Sequence, residues 1–131
     1  MKTLRIKTDS RDQFVDITQK VADWLSESGY KEGIVHIFVP HTTAGVTINE
    51  GADPSVREDM LAILDKNIPW EDGYKHLEGN SAAHMKASLM GSSVQIPVVD
   101  GEMQLGTWQS IYFAEFDGPR ERKVYLKVFF Q

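Results

Sequence analysis

Three of the four histidines lie in dense polar segments, where their imidazoles can do chemistry. His41 opens a polar segment that ends at Glu50, and His76 and His84 flank the stretch around Asn80. Neutral imidazoles that converge with one or two carboxylates bind divalent metals, zinc above all. Because the three segments are separate in sequence, spacing alone leaves a second interpretation open, in which these histidines hydrogen-bond loops and helix caps.

Carboxylates and helix starts near these histidines suggest two further kinds of site. Glu50 follows a predicted strand and is the best candidate for a site carboxylate, and two close carboxylates can hold Mg²⁺ for a diphosphate substrate. Asn80 and Ser81 begin a predicted helix, whose free N–H groups suit a phosphate. Helix capping by the same two residues is the commoner role. The cations that could neutralise a bound anion are Lys86, Arg120 and Arg122.

A tryptophan and a glutamine stand together at the start of another predicted strand. Trp108 and Gln109 can stack on a heterocycle and hydrogen-bond to it, although a core tryptophan with its partner is an equal alternative. His36 differs from the other histidines because it lies within an apolar run. A hydrogen-bonded core or interface histidine is the better interpretation there.

Strands and helices both have to position these side chains. Apolar alternation, or continuous β-branched and aromatic runs, predict strands. These are residues 4–8, 34–39, 45–49, 94–99, 102–105, 107–116 and 124–128. Helical spacing with caps predicts helices at 17–28, 54–67 and 81–90. Residues 69–80 have no periodicity, and a loop of that length in a small domain is usually functional or mobile.

The third predicted helix limits how its polar residues can cooperate. At about 100° per residue, Ser81, His84 and Ser88 flank one face, whereas Lys86 projects roughly opposite His84. A single face of this helix therefore cannot direct both His84 and Lys86 at one atom. Lys86 must reach a site by another route or serve a neighbouring subunit.

Composition predicts a single domain spanning residues 1–131. The net charge of −5 disfavours nucleic acid and anionic membranes as partners. With no cysteine, disulfides and thiolate metal sites are excluded. We expect a cytoplasmic protein, because the sequence shows neither an apolar leader nor an 18-residue apolar run.

In combination, these segments closely resemble the family of YjbQ-like, or UPF0047, proteins. The resemblance covers nearly the whole chain, and it implies an α+β fold with an antiparallel β-sandwich-like core and about three packed helices. It also implies a homotrimer. The matching stretches are His41 to Ala44, Asn49–Glu50, Asp53–Pro54, Val56–Arg57, Asp59, Tyr74, His76, Glu78–Gly79, His84 to Ser88, Ile96 to Val98 and Gly106 to Gln109.

The resemblance further implies a secondary thiamine-phosphate synthase, with this reaction as a side activity of the family. That reaction joins a pyrimidine diphosphate to a thiazole phosphate and releases pyrophosphate. A divalent metal would be held by the residues that match the family's histidines, which are His41, His76 and His84. Zinc suits such a site, whereas diphosphate chemistry usually uses Mg²⁺.

On this resemblance we assign candidate roles to the remaining polar residues. The catalytic candidates are Glu50 and Lys86. The candidates for binding the phosphorylated substrate are Asn49, Asn80, Ser88, Trp108 and Gln109. Two other functions stay open: a metal-dependent hydrolase of a small metabolite, with water at an open metal position, and a non-catalytic trimeric protein that binds a metabolite or an anion.

Overall fold

The computed structural model describes residues 1–130, which form eight strands and three helices. The strands are β1 (Lys2–Lys7), β2 (Gln13–Asp16), β3 (Gly33–Phe38), β4 (Ala44–Glu50), β5 (Ser93–Val99), β6 (Glu102–Met103), β7 (Gln109–Glu115) and β8 (Glu121–Phe129). The helices are α1 (Thr18–Ser28), α2 (Pro54–Asn67) and α3 (Ser81–Met90).

The strands form two antiparallel sheets that pack face to face. One sheet has five strands in the order β1-β8-β3-β5-β6, and the other has three in the order β2-β7-β4. Strict alternation along β8 directs Val124, Leu126 and Val128 inward, where they meet Ile111 and Phe113 of β7 in the main core. The predicted α+β fold with a β-sandwich-like core and three helices is confirmed.

Two helices lie on the outer face of the three-stranded sheet. Ala83 and Ala87 of α3 pack on Ala114 and Phe116, and Leu64 of α2 joins the same cluster. The small side chains allow α3 to lie close to the sheet. At Gly45, a Cβ atom would come within 2.5 Å of the carbonyl oxygen of Gly91, so this position on β4 requires glycine.

The structure differs from the predicted elements mainly at their ends. Strand β2 was not predicted, because a four-residue segment with polar residues at both ends has too little alternation to identify. Helix α1 begins at Thr18. The Asp16 carboxylate accepts hydrogen bonds from the Thr18 N–H at 2.9 Å and from the Thr18 hydroxyl at 2.6 Å. Trp108 lies in the turn before β7 and not in the strand.

The longest helix, α2, has 14 residues. Across residues 1–130, no helix combines the length and the apolar composition that crossing a membrane requires.

Candidate functional site

An open polar cleft lies where the end of β3, the start of β4 and helix α3 meet. It consists of three adjoining concavities of about 480, 470 and 310 Å³. We call it the histidine cleft. Its polar lining comprises His41, Thr42, Thr43, His76, Glu78, Asn80, His84, Ser88, Ser92, Asp117, Arg120 and Arg122. The fold therefore brings all three predicted metal-binding histidines to one surface.

His76 and His84 form the closest pair in the histidine cleft. Their rings are edge to face, with centroids 5.7 Å apart. Helix α3 carries His84, while a turn closed by the hydrogen bond from Gly79 N–H to the His76 carbonyl, at 3.1 Å, holds His76. Two imidazoles on one tetrahedral zinc have centroids about 5 Å apart, given Zn–N distances of about 2.0–2.1 Å. The pair is therefore close to the arrangement that a shared ion requires.

His41 lies on the same cleft but is already engaged. Its Nε2 accepts a hydrogen bond of 2.9 Å from the backbone N–H of Lys123. A backbone N–H can only donate, so the neutral ring carries its proton on Nδ1. Both nitrogens therefore lack a free lone pair. Consistent with this, no three His, Asp or Glu side chains in the described chain are grouped to hold a metal.

We expect His41 to remain neutral to lower pH than an ordinary histidine. Burial lowers the pKa of His41, and the positive charge of Arg122 lowers it further. Between this lowered value and about 6.5, the unfolded chain binds more protons than the folded chain, so stability should fall as the pH falls through that window. NMR titration of the ring protons should give a midpoint below about 6.5. A midpoint at or above that value would contradict the lowering of the pKa by burial and Arg122.

Asn80 places an unsatisfied acceptor in the histidine cleft. Its side chain is 8% exposed, and its Nδ2 donates to the Asp117 carboxylate at 2.9 Å. That carboxylate fixes the amide orientation, because a flipped amide would set two oxygens against each other. The other atom, Oδ1, has no hydrogen-bond partner within the described residues. A buried acceptor left unpaired costs about 1–3 kcal/mol, so this position favours a ligand that brings a donor or a cation.

A buried ion pair supports the floor of the cleft. The Arg122 guanidinium binds the Glu115 carboxylate through Nε at 2.9 and 3.1 Å and through a second, shorter contact. Arg122 also donates to the Thr43 hydroxyl at 2.8 Å, and Thr8 donates to Glu115 at 2.8 Å. The Asp117 N–H donates to Glu115 at 3.1 Å. The network therefore ties the segment after His41 to Asp117, the partner of Asn80.

The charge state of Glu115 follows from this network. Burial alone would raise the pKa of the Glu115 carboxyl, but hydrogen bonds from Arg122, Thr8 and Asp117 outweigh it and hold the pKa below its usual value. Glu115 is therefore an ionised structural group and not a proton donor.

Arg120 and Ser88 supply the remaining polar groups of the cleft. Arg120 is anchored to Asp117 by hydrogen bonds of 2.9 Å to its carbonyl and 3.1 Å to its carboxylate, and the side chain stays about half exposed. Ser88 donates to the His84 carbonyl at 2.9 Å, which leaves its oxygen as an acceptor. As the helical projection predicts, Ser88 and His84 line the same concavity.

Lys86 does not reach the histidine cleft. Its side chain is fully buried on another side of α3, where the amine donates to Asp12 at 2.7 Å and to Asp65 at 3.3 Å. The predicted catalytic role is therefore corrected: within one chain Lys86 is a structural cation. The residue is buried because α3 packs inward on the sheet and two carboxylates compensate its charge.

Replacing Lys86 with methionine tests this assignment. We expect the free energy of unfolding to fall by about 1–3 kcal/mol, because Asp12 keeps only Arg11 as a cationic partner. Zinc affinity and ligand binding should be unchanged. Urea unfolding measures the first quantity and isothermal titration the second. If Lys86→Met kept normal stability but lost ligand binding, Lys86 would belong to the binding site and the structural role would be wrong.

Four other predicted site residues lie at the opposite end of the three-stranded sheet. We call them the Trp108 cluster: Asn49, Glu50, Trp108 and Gln109. Glu50 pairs with Gln109 at one end of the β4–β7 ladder, while Ala44, beside the histidine cleft, pairs with Glu115 at the other. The strand between the two ends spans about 20 Å at about 3.3 Å per residue. The single site that the sequence predicts is therefore divided within one chain.

Asp117, Thr42 and Thr43 line the cleft but were not among the predicted site residues. Asp117 belongs to a segment that the sequence identifies only as a turn, and Thr42 and Thr43 directly follow His41. The run of polar residues after His41 was the available signal for the threonines. Nothing in the spacing links Asp117 to Asn80, because 37 residues separate them.

Comparison with known proteins identifies relatives over the whole chain. The family model described as "UPF0047 protein YjbQ-like" matches residues 2–131. The UPF0047 protein YugU of Bacillus subtilis is 54% identical over 129 residues, which cover 98% of each protein. A UPF0047 protein of Methanocaldococcus jannaschii is 55% identical over 124 residues, covering 95% of this chain and 90% of the relative.

Solved structures show the same fold. A crystal structure of a YjbQ/UPF0047 family protein from Clostridium acetobutylicum is 56% identical, with a TM-score of 0.96 over 98% of this chain and 100% of that one. A protein from Aeropyrum pernix is 41% identical, with a TM-score of 0.94 over 99% and 98% of the two chains.

Proposed function

The chain belongs to the UPF0047 family of YjbQ-like proteins, and we propose that it is a metal-dependent enzyme for a small phosphorylated metabolite. The observation that carries the proposal is the His76–His84 pair, which shares one concavity with the unpaired Oδ1 of Asn80. Two imidazoles and an amide oxygen are ligands for a cation. Within the described residues the amide oxygen has no hydrogen-bond partner.

The donor set supports a zinc-like ion more than Mg²⁺. Imidazole suits zinc, whereas Mg²⁺ takes oxygen ligands in octahedral geometry. His76 and His84 would supply the nitrogens and Asn80 the oxygen. A bound divalent cation would neutralise negative charge on the oxygens of a phosphorylated ligand.

The chain's own residues offer donors for the anionic part of the ligand. Arg120 adds a half-exposed guanidinium to the cleft, and His41 adds its Nδ1–H group. The N-terminus of α3 lies at Asn80, and its first N–H groups suit an anion. Cation ligands and anion donors therefore line one cleft, as a metal-bound phosphate or diphosphate requires.

For the reaction, we propose the thiamine-phosphate synthase chemistry that the family resemblance implies. The thiazole nitrogen attacks the methylene carbon of the pyrimidine diphosphate, a C–N bond forms, the C–O bond breaks, and pyrophosphate leaves. Arg120 and His41 would stabilise the negative charge that builds up on the leaving oxygens. No general base is needed at the attacking nitrogen, because it carries a lone pair and no proton.

One feature of the cleft favours a second candidate, a metal-dependent hydrolase. The two-histidine pair lies in an open cleft, so a bound metal would keep positions free for water, as catalytic zinc sites do. A non-catalytic binding protein would use the same donors without turnover.

Incubating the protein with the pyrimidine diphosphate, the thiazole phosphate and zinc or magnesium tests the proposal. We expect thiamine phosphate and pyrophosphate to form in equal amounts, and turnover to be lost in His84→Ala but kept in His36→Ala, because His36 lies outside the cleft. Product should be measured by chromatography. Hydrolysis of phosphoesters or amides without coupling would support the hydrolase. Tight binding without any turnover would contradict both enzymes.

A further inference from the structure

The outer face of the five-stranded sheet carries aromatic rings. Because side chains alternate along a strand, His36 and Phe38 of β3 and Tyr125 and Phe129 of β8 point away from the core. Phe38 and Phe129 are 39% and 54% exposed. Exposed apolar surface that is contiguous in this way marks an interaction site.

Three of these rings have nearly the same orientation. Phe38 lies opposite Tyr125 in the β3–β8 ladder, with ring centroids 6.4 Å apart and ring planes 17° apart. The ring of His36, two residues before Phe38 on the same face, is 6.5 Å from Phe38 with its plane 14° away. Neighbouring rings with a common orientation can stack on successive flat heterocycles of one ligand chain.

The same face is positively charged. Across β1, β8 and β3 its outward positions hold a single acid, Glu121, which lies opposite Lys7 in the β1–β8 ladder. The chain as a whole has a net charge of −5, so the rest of its surface is acidic and this face differs from it. We call the four aromatic residues above, together with the outward bases, the basic sheet face. Its bases are Arg5, Lys7, Lys123 and Lys127.

Two of the bases form a like-charge pair across the sheet. Arg5 and Lys123 lie directly opposite each other in the β1–β8 ladder, and both are exposed. Like charges at opposite positions destabilise a sheet. None of the ion pairs among residues 1–130 includes Arg5, Lys123 or Lys127. A polyanion on this face would neutralise charges that the chain itself leaves uncompensated.

Along β8, bases and rings alternate on the outward side. The order is Lys123, Tyr125, Lys127, Phe129, with about 6.6 Å between successive positions at about 3.3 Å per residue. Proteins that bind single-stranded nucleic acid combine cations for the phosphates with rings on which the bases stack. The bases of a duplex are already stacked on one another, so exposed rings favour an unpaired strand.

Polar groups beside the rings favour RNA over DNA. The Gln95 amide NH₂ donates to His36 Nδ1 at 2.9 Å, which leaves the neutral ring with its proton on Nε2. Gln95 therefore presents an acceptor oxygen next to the N–H donor of His36. A 2′-hydroxyl both donates and accepts, and it is the group that distinguishes RNA from DNA.

We infer that the basic sheet face binds single-stranded RNA, with phosphates on its outward bases and nucleobases on Phe38, Tyr125 and Phe129. The inference is independent of the reaction proposed above, because it uses no ligand of the proposed metal. A second copy of this chain that met this face with its own would bring two positive surfaces together, and like-charge repulsion opposes that contact. The polyanion is therefore the better-matched partner.

The salt dependence of binding tests the bases. Fluorescence anisotropy of a labelled oligouridine of about 12 nucleotides measures the affinity, since single-strand sites span about 4–16 nucleotides. If three phosphates are neutralised, log K should fall with log salt at a slope of about −2, given about −0.7 per phosphate. Lys123→Gln should reduce the magnitude of that slope by about 0.7. Lys20→Gln, at an exposed position on α1, should leave the slope unchanged.

Loss of one ring tests the stacking. Phe38→Ala should weaken oligouridine binding about tenfold, as expected for one stacked base, and should leave the salt slope unchanged. Trp108→Ala is the matched control, because it removes a ring that is 64% exposed but lies outside the basic sheet face. Its affinity should stay within about twofold of the wild type. Lys123→Gln alters only an exposed side chain, so the inference stays testable even if Phe38→Ala does not fold.

Four outcomes would overturn the inference. The first is no binding of the oligouridine at low salt, and the second is an equal change of slope in Lys20→Gln and Lys123→Gln. An oligodeoxyuridine bound as tightly as the RNA probe would reject RNA as the partner. Phe38→Ala with unchanged RNA affinity but a smaller mass in light scattering would assign the face to a contact between copies instead.

Discussion

Replacing His84 with alanine is expected to weaken zinc binding by about 100-fold or more, because it removes one of the two imidazoles that face each other in the histidine cleft. Loss of an outer-shell partner alone typically costs 10–100-fold in metal affinity, and loss of a ligand should cost at least as much. Chelator competition measures the affinity. Zinc should also raise the melting temperature of the wild type, and this increase should disappear in the variant.

His36 provides the matched control for this experiment. It lies on the outer face of the five-stranded sheet, and its Nδ1 is hydrogen-bonded to Gln95 at 2.9 Å. His36→Ala removes an imidazole from the same chain without touching the cleft, so zinc affinity should stay within about twofold. Equal loss in both variants would point to nonspecific binding by histidines. No loss in His84→Ala would reject the metal site.

Replacing Glu115 with alanine should lower the free energy of unfolding by about 3–5 kcal/mol, because Arg122 would remain buried without its counter-charge. Urea unfolding measures the change. The matched control is Glu121→Ala, a carboxylate exposed on the neighbouring strand β8, which should alter stability by less than about 0.5 kcal/mol. A loss under about 1 kcal/mol in Glu115→Ala would show that the ion pair is not needed to hold the floor of the cleft.

Because of the same ion pair, the free energy of unfolding depends on pH. The pKa of Glu115 is lower in the folded chain than the usual glutamate value of about 4.3. The unfolded chain therefore takes up the proton first, and the stability that ionised Glu115 contributes is present above about pH 4.3 and lost as the pH falls further. Acid titration of wild type and Glu115→Gln by circular dichroism should show a weaker decline for the variant in that range.

The sequence predicted most of the fold because its signals are local. The run from Ile34 to Val39 predicts a strand, although only Val35, Ile37 and Val39 of that run are buried. Asp53 before Pro54 starts a helix with a cap that the structure retains. Strand β2 lacked such a signal, and its pairing with β7 depends on contacts almost 100 residues away in the chain. Long-range pairing of a short polar segment has no local signature.

For the site, helical geometry was informative and residue type was misleading. The projection of α3 correctly separated His84 from Lys86. The charge of Lys86 suggested catalysis, but Asp12 and Asp65 lie in distant segments, and no spacing rule shows that they would compensate it. The position of the Trp108 cluster likewise could not be predicted from the sequence, because it depends on which end of β4 lies at the cleft. That orientation is fixed by the pairing of β4 with β7.

The weak anchoring of α2 has a consequence for motion. None of its residues is buried, and it is attached mainly by Leu64, by Arg57 bonded to Tyr112 at 2.7 Å, and by Asp65 bonded to Lys86. Local unfolding begins where few apolar contacts resist it, so the amide hydrogens of α2 should exchange with solvent before those of α3. The segment after α2 carries His76. Each opening of α2 would therefore loosen one of the two facing imidazoles, and release of a bound ion would follow the opening rate of this helix.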